Sequence, residues 1–563
     1  MKKILIYSII LLLCCPLTAF SWEHILIISP DEFMESMQPL VELKEYSLRH
    51  VTLISLSSIY NNSKYNGLRD NPEKIKKCIL DYNKTQGVNY VLLIGDCDRF
   101  PVRYCRAINT EWGTKFYPAD LYYADLYKSD GVTYDNWDSG NSNGIIGEID
   151  FKGFGEKDIN KLNIDKINLI PDVSVGRVPA SNVDEVKTYV SKVINYELKA
   201  PGNWFKKTLW LVDGDWGSAS KKDRLDGYMT GFNIIKPYTD SRWGVHATNP
   251  ITRDERATII NNHINGGTGF VNYFGHGCRH SWSWVYDQYG KFNDMANMTN
   301  YNMLPIIFAV SCYTGRFHFD QCISGCIDED KYRTTSGTDW TNKNKVATRP
   351  EPRAVQPSNF DRGCLAEDFT VMRSTGGIAY IGCGSVNEFG GEDLDKYFFE
   401  AYKNKAGDYI TLGQMWDYSR TMFITNINLI SYFAYLHLYK VTMFGDPSLI
   451  VGGAYTSNIS GTVSNSLGTV LKGYKRYRVT GDITIPTGHS LRADSSVSIL
   501  FNSGRKLKAM DSDVNNGFII KTMSGHRTYL LSAKSLNDST MIVPRISIEG
   551  ELRVRNGGEI KFY

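Results

Sequence analysis

The stretches Thr268-Gly269-Phe270-Val271-Asn272-Tyr273-Phe274-Gly275-His276-Gly277 and Leu304-Pro305-Ile306-Ile307-Phe308-Ala309-Val310-Ser311-Cys312 determine the fold that we predict. Each contains a short apolar run, rich in β-branched and aromatic residues, which predicts a buried strand. The histidine and the cysteine that follow these strands are 36 residues apart. This distance fits one β-crossover-β unit, whose two parallel strands end at the same edge of a sheet. We therefore expect His276 and Cys312 to lie together at that edge, where open α/β sheets build their sites.

Most of the chain alternates strands with helices, which predicts an α/β fold of doubly wound, mostly parallel sheets. Further strands are predicted at 24–28, 51–54, 90–94, 172–177, 208–212 and 377–381, and helices at 31–46, 72–82, 182–196 and 253–265. Pro201-Gly202 is typical of a hinge, so we divide this part into sub-domains 22–200 and 201–451. Residues 119–150 are rich in Tyr, Asp, Asn and Gly, which predicts a long ordered loop.

Length and composition indicate a globular protein of two or three domains. The chain has 563 residues, of which 42% are hydrophobic and 22% are charged. The formal net charge of +3 is too small to indicate a nucleic-acid partner.

The first 21 residues are typical of a secretory signal: Met1-Lys2-Lys3 precedes the apolar run 4–13. The alternative is a membrane anchor, but the run is short for a membrane span, and no other stretch reaches the required length. We therefore expect no transmembrane segment, and a location outside the cell, on the bacterial cell surface or in the periplasm. Nine cysteines follow the signal. In an oxidising compartment this odd number leaves at least one thiol unpaired.

Two regions differ from the α/β pattern. Residues 313–363 are rich in Lys, Arg, Asp, Thr and Pro, which predicts an exposed, mobile insertion beside Cys312. Residues 456–563 consist of short alternating runs separated by Gly, which predicts a smaller all-β domain, either a sandwich or a small solenoid. This tail contains no cysteine, and we interpret it as a domain for binding, anchoring or export.

A neighbouring imidazole increases the thiolate fraction of a cysteine and then delivers a proton to the leaving group. The glycines beside His276 allow a substrate backbone to come close, and the N–H groups of Gly277 and Cys312 are candidates for an oxyanion hole. The alternative is an ordinary turn histidine and an ordinary buried thiol.

The segment 139–150 has approximately the ligand spacing of a calcium-binding loop, with Gly144 at the sixth position. Its candidate oxygen ligands are Asp138, Ser139, Asn141, Asn143, Glu148 and Asp150. The serine at the first position weakens the match, and a solvated acidic turn is the alternative to a structural calcium ion.

The two stretches around His276 and Cys312 resemble the gingipain (C25) family of secreted bacterial cysteine peptidases, which have a caspase-like fold. The resemblance extends from about residue 24 to 451. It also includes Tyr90-Val91-Leu92-Leu93-Ile94-Gly95-Asp96, Asp172-Val173-Ser174-Val175-Gly176-Arg177, Cys364-Leu365-Ala366-Glu367 and Phe444-Gly445-Asp446-Pro447-Ser448-Leu449.

The resemblance implies that Cys312 is the nucleophile and His276 the general base and acid. It further implies that an acid at a strand orients the histidine, and the match indicates Asp172, with a structural cap as the alternative. The family has an acidic group in the pocket for a basic substrate side chain, and its nearest counterparts here are Asp184 and Glu185. The alternative is that these acids are favoured only because they begin a predicted helix. Phe389 matches an aromatic wall of this pocket, with a core aromatic as the alternative, and Ser385 is a further candidate for substrate binding.

Two departures from the family pattern lead to expectations of their own. The first predicted strand directly follows the signal, so we expect no N-terminal inhibitory prodomain. The insertion 313–363 is longer than the corresponding loop of the family and contains Lys and Arg residues. We hypothesise that this insertion covers the cleft and is opened by proteolysis.

The sequence therefore predicts a secreted cysteine endopeptidase that acts on proteins or peptides and needs no cofactor for catalysis. A transpeptidase that processes exported proteins would use the same acyl-enzyme, and a non-catalytic adhesin on a peptidase scaffold is a third alternative. For the tail we expect a surface or export partner.

Overall fold

The structure is a computed structural model, and it describes most of the α/β part of the chain and the strands of the tail. The described residues are 23–109, 113–151, 162–199, 202–213, 222–244, 247–282, 286–287, 294–317, 363–387, 390–405, 409–426, 432–455, 457–464, 469–472, 475–493, 497–502, 504–510, 517–521, 528–532, 545–548, 551–554 and 559–561. The predicted signal (1–21), most of the predicted insertion and Phe389 lie outside these residues.

One ten-stranded sheet forms the centre of the α/β part. From one side to the other, its strands are His50–Ser55, His24–Ser29, Val88–Ile94, Ser174–Val178, Val441–Phe444, Ala379–Cys383, Ile306–Val310, Phe270–Phe274, Lys207–Val212 and Asn233–Ile235. The predicted α/β class is confirmed.

The sheet has two halves of five strands each that run in opposite directions. The first five strands in the order above, up to Val441–Phe444, are parallel to one another. The last five, from Ala379–Cys383 onward, are also parallel to one another. Where the halves meet, Val441–Phe444 pairs antiparallel with Ala379–Cys383. The carboxyl ends of the two halves therefore lie at opposite edges, and both predicted sub-domains contribute to one continuous sheet.

Helices cover both faces of the sheet. They span Met34–Tyr46, Leu56–Tyr60, Asn71–Gln86, Leu121–Ala124, Val183–Lys199, Arg253–Asn265, Leu365–Thr370, Gly391–Lys403, Leu412–Asn426 and Tyr432–Lys440. Alternate residues of one strand pack in two separate apolar clusters: Ile306 and Phe308 in the first, Ile307 and Ala309 in the second. This burial on both faces explains why the strand sequences are continuous apolar runs.

Local sequence signals account for several helix ends. The Asp70 side chain accepts the Glu73 N–H at 3.0 Å, and Gly87 ends the same helix in the left-handed conformation. Thr252 and Glu255 form a reciprocal capping box at the start of Arg253–Asn265. Among the described residues, no helix combines the length and the apolar character needed to cross a membrane. All seven cysteines among the described residues are free thiols.

The tail is a solenoid of parallel strands rather than a sandwich. Ser457–Thr462, Arg476–Ile485, Ser498–Phe501 and Thr528–Ser532 pair in parallel in one sheet, and Thr469–Leu471, Ser490–Ala493 and Gly517–Lys521 do so in a second. Further strands are Lys506–Ala509, Arg545–Ile548, Glu551–Val554 and Glu559–Lys561, of which the last three pair antiparallel. Because the chain alternates between the two sheets, each coil stacks on the one before it. Tyr529 of the tail packs on Tyr46 of the α/β part, with ring centroids 5.3 Å apart.

Candidate active site

His276 and Cys312 follow two adjacent parallel strands at matching positions. In the pairing of Phe270–Phe274 (the histidine strand) with Ile306–Val310 (the cysteine strand), Phe274 lies opposite Val310. Each reactive residue comes two positions later. Adjacent strands are about 4.8 Å apart, so both residues emerge side by side at one edge of the sheet, which we call the dyad edge. The predicted adjacency of the two strands is confirmed.

The two loops that carry these residues are in close contact. The Gly275 N–H continues the ladder to the Val310 carbonyl at 3.2 Å. A Cβ atom on Gly277 would lie 2.0 Å from Ser311 Oγ and 3.0 Å from the Cys312 carbonyl oxygen. Position 277 therefore requires glycine, because the cysteine loop occupies the space of a side chain. At this contact the His276 side chain is exposed and Cys312 is half-buried.

Asp213 fixes the histidine loop from the other side. It directly follows the strand Lys207–Val212, which pairs with the histidine strand. The Asp213 carboxylate accepts the main-chain N–H of His276 at 2.7 Å. A Cβ atom on Gly275 would lie 2.5 Å from the Asp213 carboxylate carbon, so this glycine allows the acid to approach. Asp213 is buried, with 2% of its surface exposed.

The loop after Ala379–Cys383 borders the cysteine on its second side. The Ser385 carbonyl accepts the Tyr313 N–H at 2.8 Å, and the Asn387 N–H donates to Cys312 Sγ at 3.3 Å. Tyr313 has φ +60°, in the left-handed region that few non-glycine residues adopt. The chain therefore turns sharply after Cys312. Ser385, predicted to bind substrate, lies next to the nucleophile.

Asp172, predicted to orient His276, lies in a different part of the dyad edge. It precedes Ser174–Val178, and three strands separate that strand from the histidine strand. At about 4.8 Å per step, the two strands are about 19 Å apart. The Asp172 carboxylate accepts the N–H groups of Leu126 and Tyr127, at 2.7 and 2.9 Å. This geometry corrects the prediction, because it gives Asp172 the role of a cap on a turn.

Asp184 and Glu185, predicted to form the substrate pocket, lie at the opposite edge of the sheet. They begin the helix Val183–Lys199, which follows the carboxyl end of a strand of the first half. The Glu185 carboxylate accepts the Ser181 N–H at 2.7 Å, and burial raises the pKa of Glu185. Both acids lie in the first turn of this helix, where acidic residues are favoured, and their role in the substrate pocket stays a prediction.

Glu148 of the predicted calcium loop is engaged by donors of the protein itself. One of its carboxylate oxygens accepts from Arg106 at 2.8 Å. The other accepts the side-chain amides of Asn141 and Asn143, at 3.0 and 2.7 Å. A guanidinium and two amide donors thus surround the carboxylate that a cation would need.

The remaining candidate ligands show the same arrangement. Asp138 accepts from Arg69 at 2.7 Å, and the Ser139 hydroxyl donates to the Asp165 carbonyl at 3.3 Å. Asp150 lies in the strand Ile149–Phe151. Within the described part of the chain, no group of three or more His, Cys, Asp or Glu side chains is arranged to hold a metal ion. Two arginines thus pair with two carboxylates of this loop, and the calcium ion stays a prediction.

Sequence reasoning missed Asp213, Asn387 and His437, a histidine whose Nε2 lies 2.6 Å from Asn387 Oδ1. A signal existed for Asp213, because it follows an apolar strand just as the two reactive residues follow theirs. Asn387 contacts the sulfur through its main chain, which any residue type provides. The helix that carries His437 gives no sign in its sequence of the loop that it faces.

Comparison with known proteins places this geometry in a family. The chain matches the family model "Peptidase family C25" over residues 21–345 and 354–451, which is more than half of its length. Gingipain R2 of Porphyromonas gingivalis is 27% identical over 161 residues, covering 26% of this chain and 20% of that protein. Gingipain R1 of the same organism shows the same identity, again over 26% of this chain but 15% of its own length. The matched segment thus spans about a fifth or less of these relatives.

Two solved structures share the fold. The crystal structure of gingipain R, an Arg-specific cysteine proteinase, superposes with a TM-score of 0.51 at 18% identity, covering 79% of this chain and 83% of that one. The complex of the pro- and mature domains of RgpB from Porphyromonas gingivalis gives a TM-score of 0.50 at 18% identity, with 78% and 84% covered. At this identity the similarity shows the fold alone.

Proposed function

The chain belongs to peptidase family C25, and we propose that it is a cysteine endopeptidase with Cys312 as nucleophile and His276 as general base and acid. The observation that carries this proposal is the register of the two parallel strands, which brings both residues to one edge at equal height. The contact of Gly277 with the cysteine loop supports it, because it holds the two loops together.

The proposed reaction proceeds through an acyl-thioester. The His276 imidazole takes the proton of the Cys312 thiol, and the sulfur forms a bond to the peptide carbonyl carbon. The N–H groups of Gly277 and Cys312 stabilise the negative oxygen of the tetrahedral intermediate. When the C–N bond breaks, the imidazolium gives its proton to the leaving amine. A water molecule, deprotonated by His276, then hydrolyses the thioester and releases the new carboxyl terminus.

Asp213 supports this reaction by positioning the histidine. Its hydrogen bond to the His276 main chain fixes the loop relative to the cysteine strand. We assign to Asp213 the positioning role that the sequence had suggested for Asp172.

The proposed substrates are proteins or peptides, and the proposed location is outside the cytoplasm. The relatives are named gingipains, and the N-terminal sequence is typical of a secretory signal. In this proposal the solenoid tail serves as the module for surface attachment or export. Its packing against Tyr46 keeps it next to the catalytic part.

A peptide library tests the proposal. Wild type should cleave library peptides, and Cys312→Ala should reduce the rate by roughly 10⁴-fold or more, because no other group replaces the nucleophile. The matched control is Cys278→Ala, which removes an exposed thiol two residues after His276 and should leave cleavage unchanged. Product masses show whether water or an added amine accepts the acyl group.

Equal cleavage by wild type and Cys312→Ala would contradict the proposal. Absence of cleavage, together with failure of Cys312 to react with a peptidyl electrophile, would favour the adhesin alternative.

A further inference from the structure

A second histidine lies behind the nucleophile on the side away from His276. His437 belongs to the helix Tyr432–Lys440 and is completely buried, with 0% of its surface exposed. Its Nε2 atom lies 2.6 Å from Asn387 Oδ1, and the Asn387 main-chain N–H donates to Cys312 Sγ at 3.3 Å. One asparagine thus connects the buried imidazole to the reactive sulfur.

The chemistry of these atoms fixes the direction of each hydrogen bond. A side-chain carbonyl oxygen only accepts, so His437 Nε2 carries the proton and donates it to Asn387. The main-chain N–H of Asn387 donates in turn to the sulfur. A donor at 3.3 Å stabilises a thiolate more than a thiol, because the hydrogen bond strengthens with the negative charge.

The loop that contains Asn387 is held from three directions. Its first residue, Gly384, donates to the Lys440 carbonyl at 2.7 Å, and the Ser385 carbonyl accepts the Tyr313 N–H at 2.8 Å. The Asn387 side chain also lies against the start of the helix Gly391–Lys403, since a Cβ atom on Gly391 would lie 2.2 Å from Asn387 Oδ1. The first two contacts hold the beginning of the loop. The third is a packing contact, whereas the bond from His437 is directional and orients the Asn387 side chain.

We propose that His437 is a positioning residue: through Asn387 it holds a main-chain N–H against Cys312 and thereby favours the thiolate. This inference rests on the proposed function, in which Cys312 is the nucleophile. In this proposal the contribution of His437 passes through the Asn387 main chain.

The test is the pH dependence of Cys312 alkylation in the full chain. Iodoacetamide labels thiolates, and mass spectrometry of digested protein reports Cys312 and the exposed Cys278 separately. In His437→Ala the apparent pKa of Cys312 should rise by about one unit, so that its labelling at neutral pH falls about tenfold. Cys278 in the same molecule is the internal control, and its profile should not change.

Three further variants distinguish positioning from general damage to the fold. His437→Gln keeps an N–H donor near the position of Nε2 and should restore most of the wild-type profile. Asn387→Ala keeps the main-chain N–H but removes the side chain that bonds to His437. It should raise the apparent pKa of Cys312 as much as His437→Ala does. The double variant should shift it no further, because both residues act through one contact. The proposal would be overturned if a variant changed the apparent pKa of Cys278 as much as that of Cys312. It would also be overturned if the effects of the two single changes on Cys312 were additive.

An unchanged Cys312 profile in both His437→Ala and Asn387→Ala would also overturn it. The measurement reads the sulfur and not peptide cleavage. If the variants raise the apparent pKa of Cys312 but the wild type cleaves no peptide, the proposed function fails and the positioning role stands. If the wild type cleaves peptides but neither variant changes the apparent pKa of Cys312, the proposed function stands and the positioning role fails.

Discussion

Two strands in each half of the sheet are followed by a small residue and then a polar one. The exposure of that polar residue differs between the halves. In the first half the polar residues are Asp96 and Asp446, which are 3% and 0% exposed. In the second half they are His276, which is exposed, and Cys312, which is half-buried. In both halves the N–H of the small residue can extend the ladder: Gly95, Gly275 and Gly445 each donate to the neighbouring strand.

The difference shows that a strand end gives a residue its position but not its role. Asp446 is covered by other elements, pairs with Lys44 at 2.6 Å and accepts the Ser448 N–H. Such a residue stabilises the fold and has no access to a substrate. His276 and Cys312 occupy the same place in their strands, but solvent reaches them. The neighbouring elements, and not the local sequence, determine which strand ends are available for chemistry.

The strongest test of this contrast is Asp446→Ala. Lys44 is buried between Asp446 and Glu197, so the variant leaves a buried ammonium with one of its two acidic partners. We expect a loss of about 3 kcal/mol in the free energy of unfolding, since removing one partner of a buried ion pair is strongly destabilising. Urea denaturation measures this loss. Lys64→Ala, which removes an exposed partner of Asp81, is the matched control and should cost less than about 1 kcal/mol. Equal losses in the two variants would mean that the buried Asp446 contributes no more to stability than an exposed ion pair.

The second prediction concerns pH. Burial raises the pKa of Asp96, and it raises the pKa of its neighbour Glu367 to about 7 from 4.5. At these two carboxyl groups the folded protein therefore binds more protons than the unfolded chain. The contribution of Glu367 to the free energy of unfolding is fully present below pH 4.5. It decreases by up to about 3 kcal/mol as the pH rises through about 7.

Glu367→Gln removes this titration and keeps an acceptor for the Cys364 N–H. The difference in unfolding free energy between wild type and variant, measured from pH 4 to pH 8, should move in favour of the variant as pH rises. A difference that is independent of pH would show that Glu367 does not carry a raised pKa.

Much of the fold was predictable because its strands are buried on both faces. Continuous apolar runs predicted strands at Val51–Ile54 and Tyr90–Ile94. In the structure these strands are slightly longer, His50–Ser55 and Val88–Ile94. Continuous runs also placed the histidine and cysteine strands next to each other. These signals are local, and a parallel crossover unit has few alternative arrangements.

Strand order and direction were not predictable in the same way. Val441–Phe444 pairs antiparallel with a strand about 60 residues earlier and parallel with one about 265 residues earlier, so no local pattern reports its position. The error at Asp172 has this origin: the sequence shows an acid beside a strand, but not that three strands separate it from His276. The tail posed a similar problem, since alternation predicts strands and does not distinguish a solenoid from a sandwich.

Asp213 and Asp172 allow a direct comparison of two acids at the dyad edge. Asp213→Ala removes the acceptor of the His276 N–H, and we expect kcat/KM for peptide cleavage to fall by about 10- to 100-fold. Asp213→Asn keeps an acceptor oxygen and should restore the loop position, with a remaining loss that reports the effect of the charge on His276. Steady-state kinetics at constant pH measures both variants. If Asp213→Ala retained full activity, the histidine loop would not depend on this contact.

The smallest effect is expected at Asp172. Asp172 is exposed, and its carboxylate accepts two main-chain N–H groups of a turn, so Asp172→Ala should lower the free energy of unfolding by about 1 kcal/mol. Because Asp172 is about four strand spacings from the histidine strand, kcat/KM should remain that of wild type under conditions where the variant is folded. Asp172→Asn keeps the acceptor and should recover most of the stability. A loss of activity in Asp172→Ala as large as that in Asp213→Ala would mean that the turn carrying Leu126 and Tyr127 contributes to the cleft, and the division between structural and available strand ends would then have to be redrawn.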